Sequence, residues 1–390
     1  MKYYAILVAL LAAPAAQADD ISWSGFGTLG YARSDHSYAY DRFLDSGGTF
    51  KRDSLFGLQG SYEFTPKWSA TLQATLAPSG SDDNKWEPKL QWAFLSYRAD
   101  NDLLLRAGKM RMPMYLFSEN MNVGASYSVM HLPTEVYSTA PTTDYTGASF
   151  SKTWTLAAGD LSLDGYAGRT SVVPRVTGGG AAAQLHTRSA GLVLSLRHDD
   201  DTYRVGVQRA LIGATMSGGG FGNSVAGKLF PVTGSTMMSG ASDGAVTQGG
   251  GDIDTRIFLL GADVGVGADL RLIGEYARRH APHVVTSKNS QGAYLTLLRK
   301  AGPWTPYVTV ARLLTDREAR QSGGAGGGFD DQASAALGVA YALSPSSKLK
   351  AEWMRVRVGA GSSLIDTTSG AAKVQREGLN VLSLSYSVAF

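Results

Sequence analysis

Polar and apolar side chains take turns along most of this chain. At its end Leu382, Leu384, Tyr386, Val388 and Phe390 fall on one face of an extended segment, with Ser383, Ser385, Ser387 and Ala389 on the other. Successive side chains of a strand point to opposite sides, so the pattern predicts a strand with one greasy face. The same alternation marks 54–64, where Phe56, Leu58, Tyr62 and Phe64 oppose Asp53, Gln59, Ser61 and Glu63. It marks 68–76 as well, where Trp68, Ala70, Leu72, Ala74 and Leu76 oppose Ser69, Thr71, Gln73 and Thr75. Thr65-Pro66-Lys67 joins the two as a tight turn, since proline fixes φ and gives no ladder hydrogen bond. No segment of helical period stands ready to cover the greasy faces. A soluble sheet would need such a layer, whereas a barrel in a membrane needs only lipid.

The rhythm continues. Further strands are predicted over 21–33, 89–98, 103–110, 145–155, 161–169, 189–197, 203–207, 255–265, 269–279, 291–299, 304–314, 332–342 and 348–358. Short turns such as 99–102, 158–160, 198–201 and 266–268 alternate with longer connections at 34–50, 78–86, 111–143, 170–187, 211–254, 315–331 and 359–376. Brief periplasmic turns and longer outer loops are the asymmetry of an outer-membrane barrel. The fold class predicted is all-β, a transmembrane antiparallel up-and-down β-barrel of about 16 strands, or about 18 if 228–232 hides another pair. The wall must close, because hydrocarbon offers no partner to an unpaired N–H or C=O.

Ahead of the wall, Lys2, an apolar run at 5–13 and the small residues of Ala16-Gln17-Ala18 read as a secretory signal with its cleavage site. The expected organisation is a signal peptide over 1–18 and a single barrel domain over 19–390. The 390 residues include no Cys, which excludes disulfides, a thiol nucleophile and thiolate metal sites. A formal charge of +3 gives no nucleic-acid signature. The six histidines fall mostly in connections: His280 and His283 lack companion ligands, and the turn at His198-Asp199-Asp200-Asp201 reads as polar rather than as a calcium loop. No helix start follows the glycine runs at 178–180, 218–220 and 323–328, so they are not phosphate cradles.

With these features the chain resembles a Gram-negative outer-membrane porin of the sixteen-stranded type. The likeness is sharpest at the final strand ending in Phe390 and around 103–150. There Leu105-Arg106-Ala107-Gly108-Lys109 resembles the strand leading to the porins' third outer loop, and Asp144-Tyr145-Thr146-Gly147-Ala148 restarts the wall. The resemblance implies that 113–141 folds inward and narrows the lumen. It also implies a homotrimer in outer-membrane lipid and lipopolysaccharide, and delivery to the barrel-assembly machinery through the terminal aromatic strand. Passive diffusion of small hydrophilic solutes would need no cofactor. General porins set acids of this loop against wall arginines; here its acids are Glu119 and Glu135, among Met and Tyr.

Parity then selects pore-lining candidates. Arg197, Arg204, Arg271 and Glu275 lie opposite lipid-facing neighbours, Arg106 shares a face with Leu104 and Gly108, and Lys109 and Arg111 sit where the strand enters the loop. These bases outnumber the inward Asp53, Glu63, Glu275 and Glu352, which suggests mild anion preference. The competing reading is that long basic side chains snorkel at the rims or meet lipopolysaccharide phosphates. Met110, Met112, Met114, Tyr115, Phe117 and Met121 are either the loop's packing side or an apolar solute site centred on Tyr115. Two other classes stay open: a scaffold or adhesin barrel closed by its loops, and a barrel hydrolase, for which no nucleophile and base motif is found.

Overall fold

The computed structural model describes residues 21–140, 142–173, 183–216, 252–282, 289–316, 330–366 and 374–390. Sixteen strands form one closed barrel, each antiparallel to the next. In chain order they are β1 (Ile21–Ser34), β2 (Leu55–Thr65), β3 (Trp68–Pro78), β4 (Trp86–Arg98), β5 (Leu103–Arg111), β6 (Asp144–Leu156), β7 (Gly159–Val172) and β8 (Ala183–His198). Then follow β9 (Asp201–Met216), β10 (Ile253–Gly267), β11 (Leu270–His280), β12 (Ser290–Arg299), β13 (Trp304–Thr315), β14 (Asp331–Ser344), β15 (Ser347–Gly361) and β16 (Gly378–Ala389). β16 returns to β1, pairing Phe26 with Ala389 and Ser34 with Val381. Gly25 and Phe390 exchange backbone bonds of 2.7 and 2.9 Å, so the terminal aromatic seals the seam. Closure removes every sheet edge, as hydrocarbon demands.

The alternation read from the sequence is the wall's two faces. Leu382 and Leu384 are 62% and 60% exposed, whereas Ser383 and Ser387 are 3% and 1% exposed. That inverts a soluble protein: the apolar row faces lipid, and the serines lie inside under a covering loop. At the short-turn end, Trp68 packs tilted against Tyr97 at 4.6 Å and Trp304 against Tyr341 at 4.5 Å, an interfacial aromatic belt.

Several strands outrun their predicted limits. β8 and β9 have 16 residues each, where alternation marked only 189–197 and 203–207. The outer end of β8 carries His186, Thr187 and Arg188, and that of β9 runs Ala210, Leu211 and Ile212 without a polar alternate, so hydrophobic period marks neither. The segment 211–254 therefore contributes wall at both ends. Its possible extra strand at 228–232, the segment 1–18 expected to be a signal peptide, His283 and the three glycine runs lie outside the described residues.

Part of the lumen is solid. The first and last outer loops meet in a small antiparallel ribbon, Ala39–Tyr40 against Ile365–Asp366. Tyr40, Leu44 and Ile365 pack there on the lumenal Met354, Val356, Val358, Leu379 and Val381. Apolar plug meets apolar wall.

Candidate functional site: a loop folded into the barrel

The third outer connection, 112–143, turns into the lumen. Its ends are tied together where Met112 N–H donates to the Thr143 carbonyl at 2.9 Å, and Pro113 then withdraws the next ladder donor. It carries a 3₁₀ turn at Gly124–Ser126 and one helical turn, α1 (Thr134–Tyr137). Its apolar side, Met112, Met114, Tyr115, Val129, Met130 and Val136, packs on lumenal Val193, Ile257, Leu259, Ile273, Tyr294 and Tyr307. The methionine and tyrosine cluster is thus the loop's anchoring side. Met114 is 1% and Tyr115 5% exposed, which leaves Tyr115 no face for a solute. Burial pushes its hydroxyl up to about 12, against the hydrogen bond with Thr139.

Polar ties fix the loop at the places where a buried donor or acceptor would otherwise be left unmet. Glu275 on β11 is the densest. Its Oε1 accepts from Leu116 N–H at 2.7 Å, and its Oε2 from the hydroxyls of Tyr137 and Tyr294 at 2.8 Å each. Arg204 donates to the Tyr115 carbonyl and, at 3.1 Å, to Ser195 Oγ. Arg279 donates to the Thr139 carbonyl at 3.1 Å, and Gln332 donates to Glu135 Oε1 at 2.9 Å. Farther along, Tyr307 Oη accepts from Met130 N–H at 2.7 Å, Lys350 donates to the Val129 carbonyl at 2.8 Å, and His131 lies between Asp53 and Glu352.

Close backbone approach completes the docking. A Cβ on Gly292 of β12 would stand 2.0 Å from the Glu135 carbonyl oxygen, so α1 rests on bare backbone. Gly292→Leu is expected to lift α1 off the wall at a cost of about 1–3 kcal/mol. Limited proteolysis of the loop, with unchanged strand content by circular dichroism, is the measurement that checks it.

These ties fall on β9, on β11 to β15 and on the end of the first outer loop, and Arg111 at the end of β5 adds one at the loop's root. Among the described residues no hydrogen bond joins the loop to β2 or β3, whose lumenal Gln59 and Gln73, and Ser61 and Thr71, bond one another instead. The loop hugs one side of the barrel.

The structure sorts the predicted site residues. Arg106 is lumenal, half-buried, 5.7 Å over the Phe94 ring, and shares a small cavity with Arg111, Glu119 and Asp164. Glu119 is exposed on the loop. Arg111 bends inward to the Ser118 carbonyl and Gln91, both at 3.4 Å. Arg197 is exposed at the short-turn mouth, and Arg271 meets Asp263 at 2.8 Å near it. Lys109 is a correction. It pairs in register with Thr146 and shares the outward face of Leu105, reaching Asp144 at 3.4 Å. Alternation is unbroken up to that point, so entry into the loop does not swing it inward. Glu135, Glu275 and Tyr115 are also corrected, from pore-lining to docking: Glu135 and Glu275 are 2% and 3% exposed. Sequence reasoning missed His131, Tyr137, Tyr294 and Tyr307. Inward parity of Tyr294 and Tyr307 was the available signal.

Solved structures share this fold. The anion-selective porin from Comamonas acidovorans superposes with a TM-score of 0.55 at 11% identity, covering 95% of this chain and 99% of that one. The Salmonella typhi OmpF complex with daunomycin gives 0.55 at 10% identity, covering 94% and 97%. The in-vitro folded OmpT of Vibrio cholerae, described as a trimer form, gives 0.53 at 12% identity, covering 95% and 99%. No curated protein sequence matches this chain. The sequence profile described as Gram-negative porin matches residues 5–361, which with the closed barrel and its inward third loop makes this chain a member of that family, a channel of the outer membrane.

Proposed function

We propose that the channel passes small hydrophilic solutes and ions by diffusion, without catalysis or cofactor, along the side walled by β2, β3 and β4. The one-sidedness of the loop carries this reading. A barrel of this width is not filled by its own side chains, and the third loop is tied mainly to the opposite half. The side chains of Gln59, Ser61, Thr71 and Gln73 bond only within their strand pair among the described residues, which leaves a polar face free of loop ties.

We further propose a slight anion preference. Of the bases that suggest it, Lys109 is outside, and Arg204 and Arg271 are committed to Tyr115 and Asp263. Arg106, Arg197 and the partly committed Arg111 remain, against Glu119 and Asp164 near Arg106 and Glu63 on the lumenal face of β2. The balance is small, so the selectivity is small; one relative in fold is itself described as anion-selective. Reversal potentials in a KCl gradient test it. Wild type should favour chloride slightly, and Arg106→Glu should move the permeability ratio toward potassium about twofold or more, since one reversed charge acts at short range in a narrow wet path. Cation preference in wild type would refute the reading, and absence of ion conductance would favour the closed scaffold.

The remaining expectations stand as proposals: a cleaved signal over 1–18, recognition of the strand ending in Phe390 by the assembly machinery, and a homotrimer, the state in which one relative in fold is described. Lipopolysaccharide is proposed to meet the outer wall where a concavity of about 920 Å³, floored by Ala148, Ala167 and Ala190, runs up to Arg209, Arg256 and Arg278.

A further inference from the structure

His131 sits on the far part of the third loop with its side chain only 11% exposed. Its Nδ1 lies 2.7 Å from Glu352 Oε1 of β15, and its Nε2 2.8 Å from Asp53 Oδ1 at the end of the first outer loop. An ionised carboxylate only accepts, so an imidazole that satisfies both must donate from both nitrogens, which makes it an imidazolium. A neutral ring would turn one lone pair toward a carboxylate. Each carboxylate is itself held. Glu352 Oε2 accepts from Tyr307 Oη at 2.8 Å, and Asp53 Oδ1 meets Arg52 at 3.2 Å.

We propose that His131 is the positioning residue of the channel's third loop: its imidazolium pins the loop's far end to the first outer loop and to β15. Loss of this one proton leaves that end held by the Val129 and Met130 ties alone and lets it shift into the lumen. The wall stands behind the segment, so a loosened end shifts toward the channel. Partial, flickering closure follows.

The surrounding charges set the direction. From the first outer loop Asp41, Arg52 and Asp53 face the site, from β15 Lys350 and Glu352, from β13 Tyr307, and from the loop itself Tyr127. Burial and the Arg52 guanidinium work against the imidazolium, but Asp53 and Glu352 outweigh them and raise its affinity for the proton. Burial likewise opposes ionisation of Asp53, yet His131 and Arg52 hold its carboxyl at about 2. A group whose proton is held more tightly in the docked state supports docking below its ordinary value and stops doing so as pH rises through the raised one. The latch is therefore closed at neutral and mildly acid pH and opens on the alkaline side.

Single-channel recording in planar bilayers tests this with wild type, His131→Gln and Asp53→Asn. Between about pH 6 and about pH 9, spanning the ordinary imidazole value and above, wild-type closures should become several-fold more frequent. His131→Gln, neutral throughout, should show frequent closures at every pH with no slope. Asp53→Asn keeps the imidazole but removes one acceptor, so the onset should move about one pH unit lower, a tenfold weaker hold on the proton. Should His131→Gln fail to assemble, the Asp53→Asn shift alone decides. Wild-type traces indifferent to pH, a retained wild-type slope in His131→Gln, or an unmoved onset in Asp53→Asn would each overturn the proposal.

Discussion

Glu275→Ala is expected to loosen the near half of the third loop while the barrel stays assembled. The substitution removes the acceptor of Leu116 N–H and of the Tyr137 and Tyr294 hydroxyls at one stroke. Three donors are then left in a site from which water is largely excluded, since Glu275 is 3% exposed. A buried donor left unmet costs about 1–3 kcal/mol, and here three are left at once, so the loss exceeds what any single neutral hydrogen bond contributes. The cost falls on docking rather than on the wall, because the strand ladder through Glu275 uses backbone groups opposite Gly261 and Tyr294. Expected results are raised open-channel noise and faster cleavage within 112–143, with little change in the thermal midpoint of the barrel. Glu275→Gln keeps one accepting oxygen and should fall between wild type and Glu275→Ala. A midpoint lowered as much as the loop is loosened would show that loop and wall unfold together.

That separation explains how unevenly the molecule can be read from its residues. The wall is written twice, once in apolar alternation and once in the turns, so 68–76 is legible as Trp68–Pro78 with every face assigned. The loop's docking is written in a weaker hand. A barrel strand between lipid and water alternates, yet Leu192, Val193 and Leu194 are apolar without a break, as are Ile257, Phe258, Leu259 and Leu260. Lumenal apolar residues mean that protein lies inside at that level, and Val193, Ile257 and Leu259 do contact the loop. The same reasoning applies to Met354, Val356 and Val381 beneath the first and last loops. Charge was the misleading signal. Inward parity assigns Arg204 and Glu275 correctly to the lumen, but whether such a group faces water or holds a loop depends on partners about 90–160 positions away, which spacing cannot supply. His131 carries no local mark at all, since its two carboxylates arrive from Asp53 and Glu352.

Leu72 and Thr71 offer the sharpest test of the wall, because adjacent positions should respond in opposite ways. Leu72 is 59% exposed on the lipid face of β3, level with Ala93 of β4 and Gly60 of β2. Thr71 points into the lumen, where its hydroxyl meets Ser61 at 3.2 Å. Leu72→Arg places a guanidinium in hydrocarbon and is expected to destabilise the barrel by about 2–4 kcal/mol if the position lies near the bilayer midplane. Thr71→Arg delivers the same side chain to the lumen and forfeits one half-buried hydroxyl contact, worth about 1 kcal/mol. Folding equilibria in lipid vesicles, followed by tryptophan fluorescence and the heat-dependent shift in gel mobility, give both numbers. The lumenal arginine should also add to chloride preference in the same bilayer recordings that the Leu72→Arg barrel, once folded, leaves unchanged. Equal losses at the two positions would mean that Thr71 is not in water, and the passage along β2, β3 and β4 would have to be placed elsewhere.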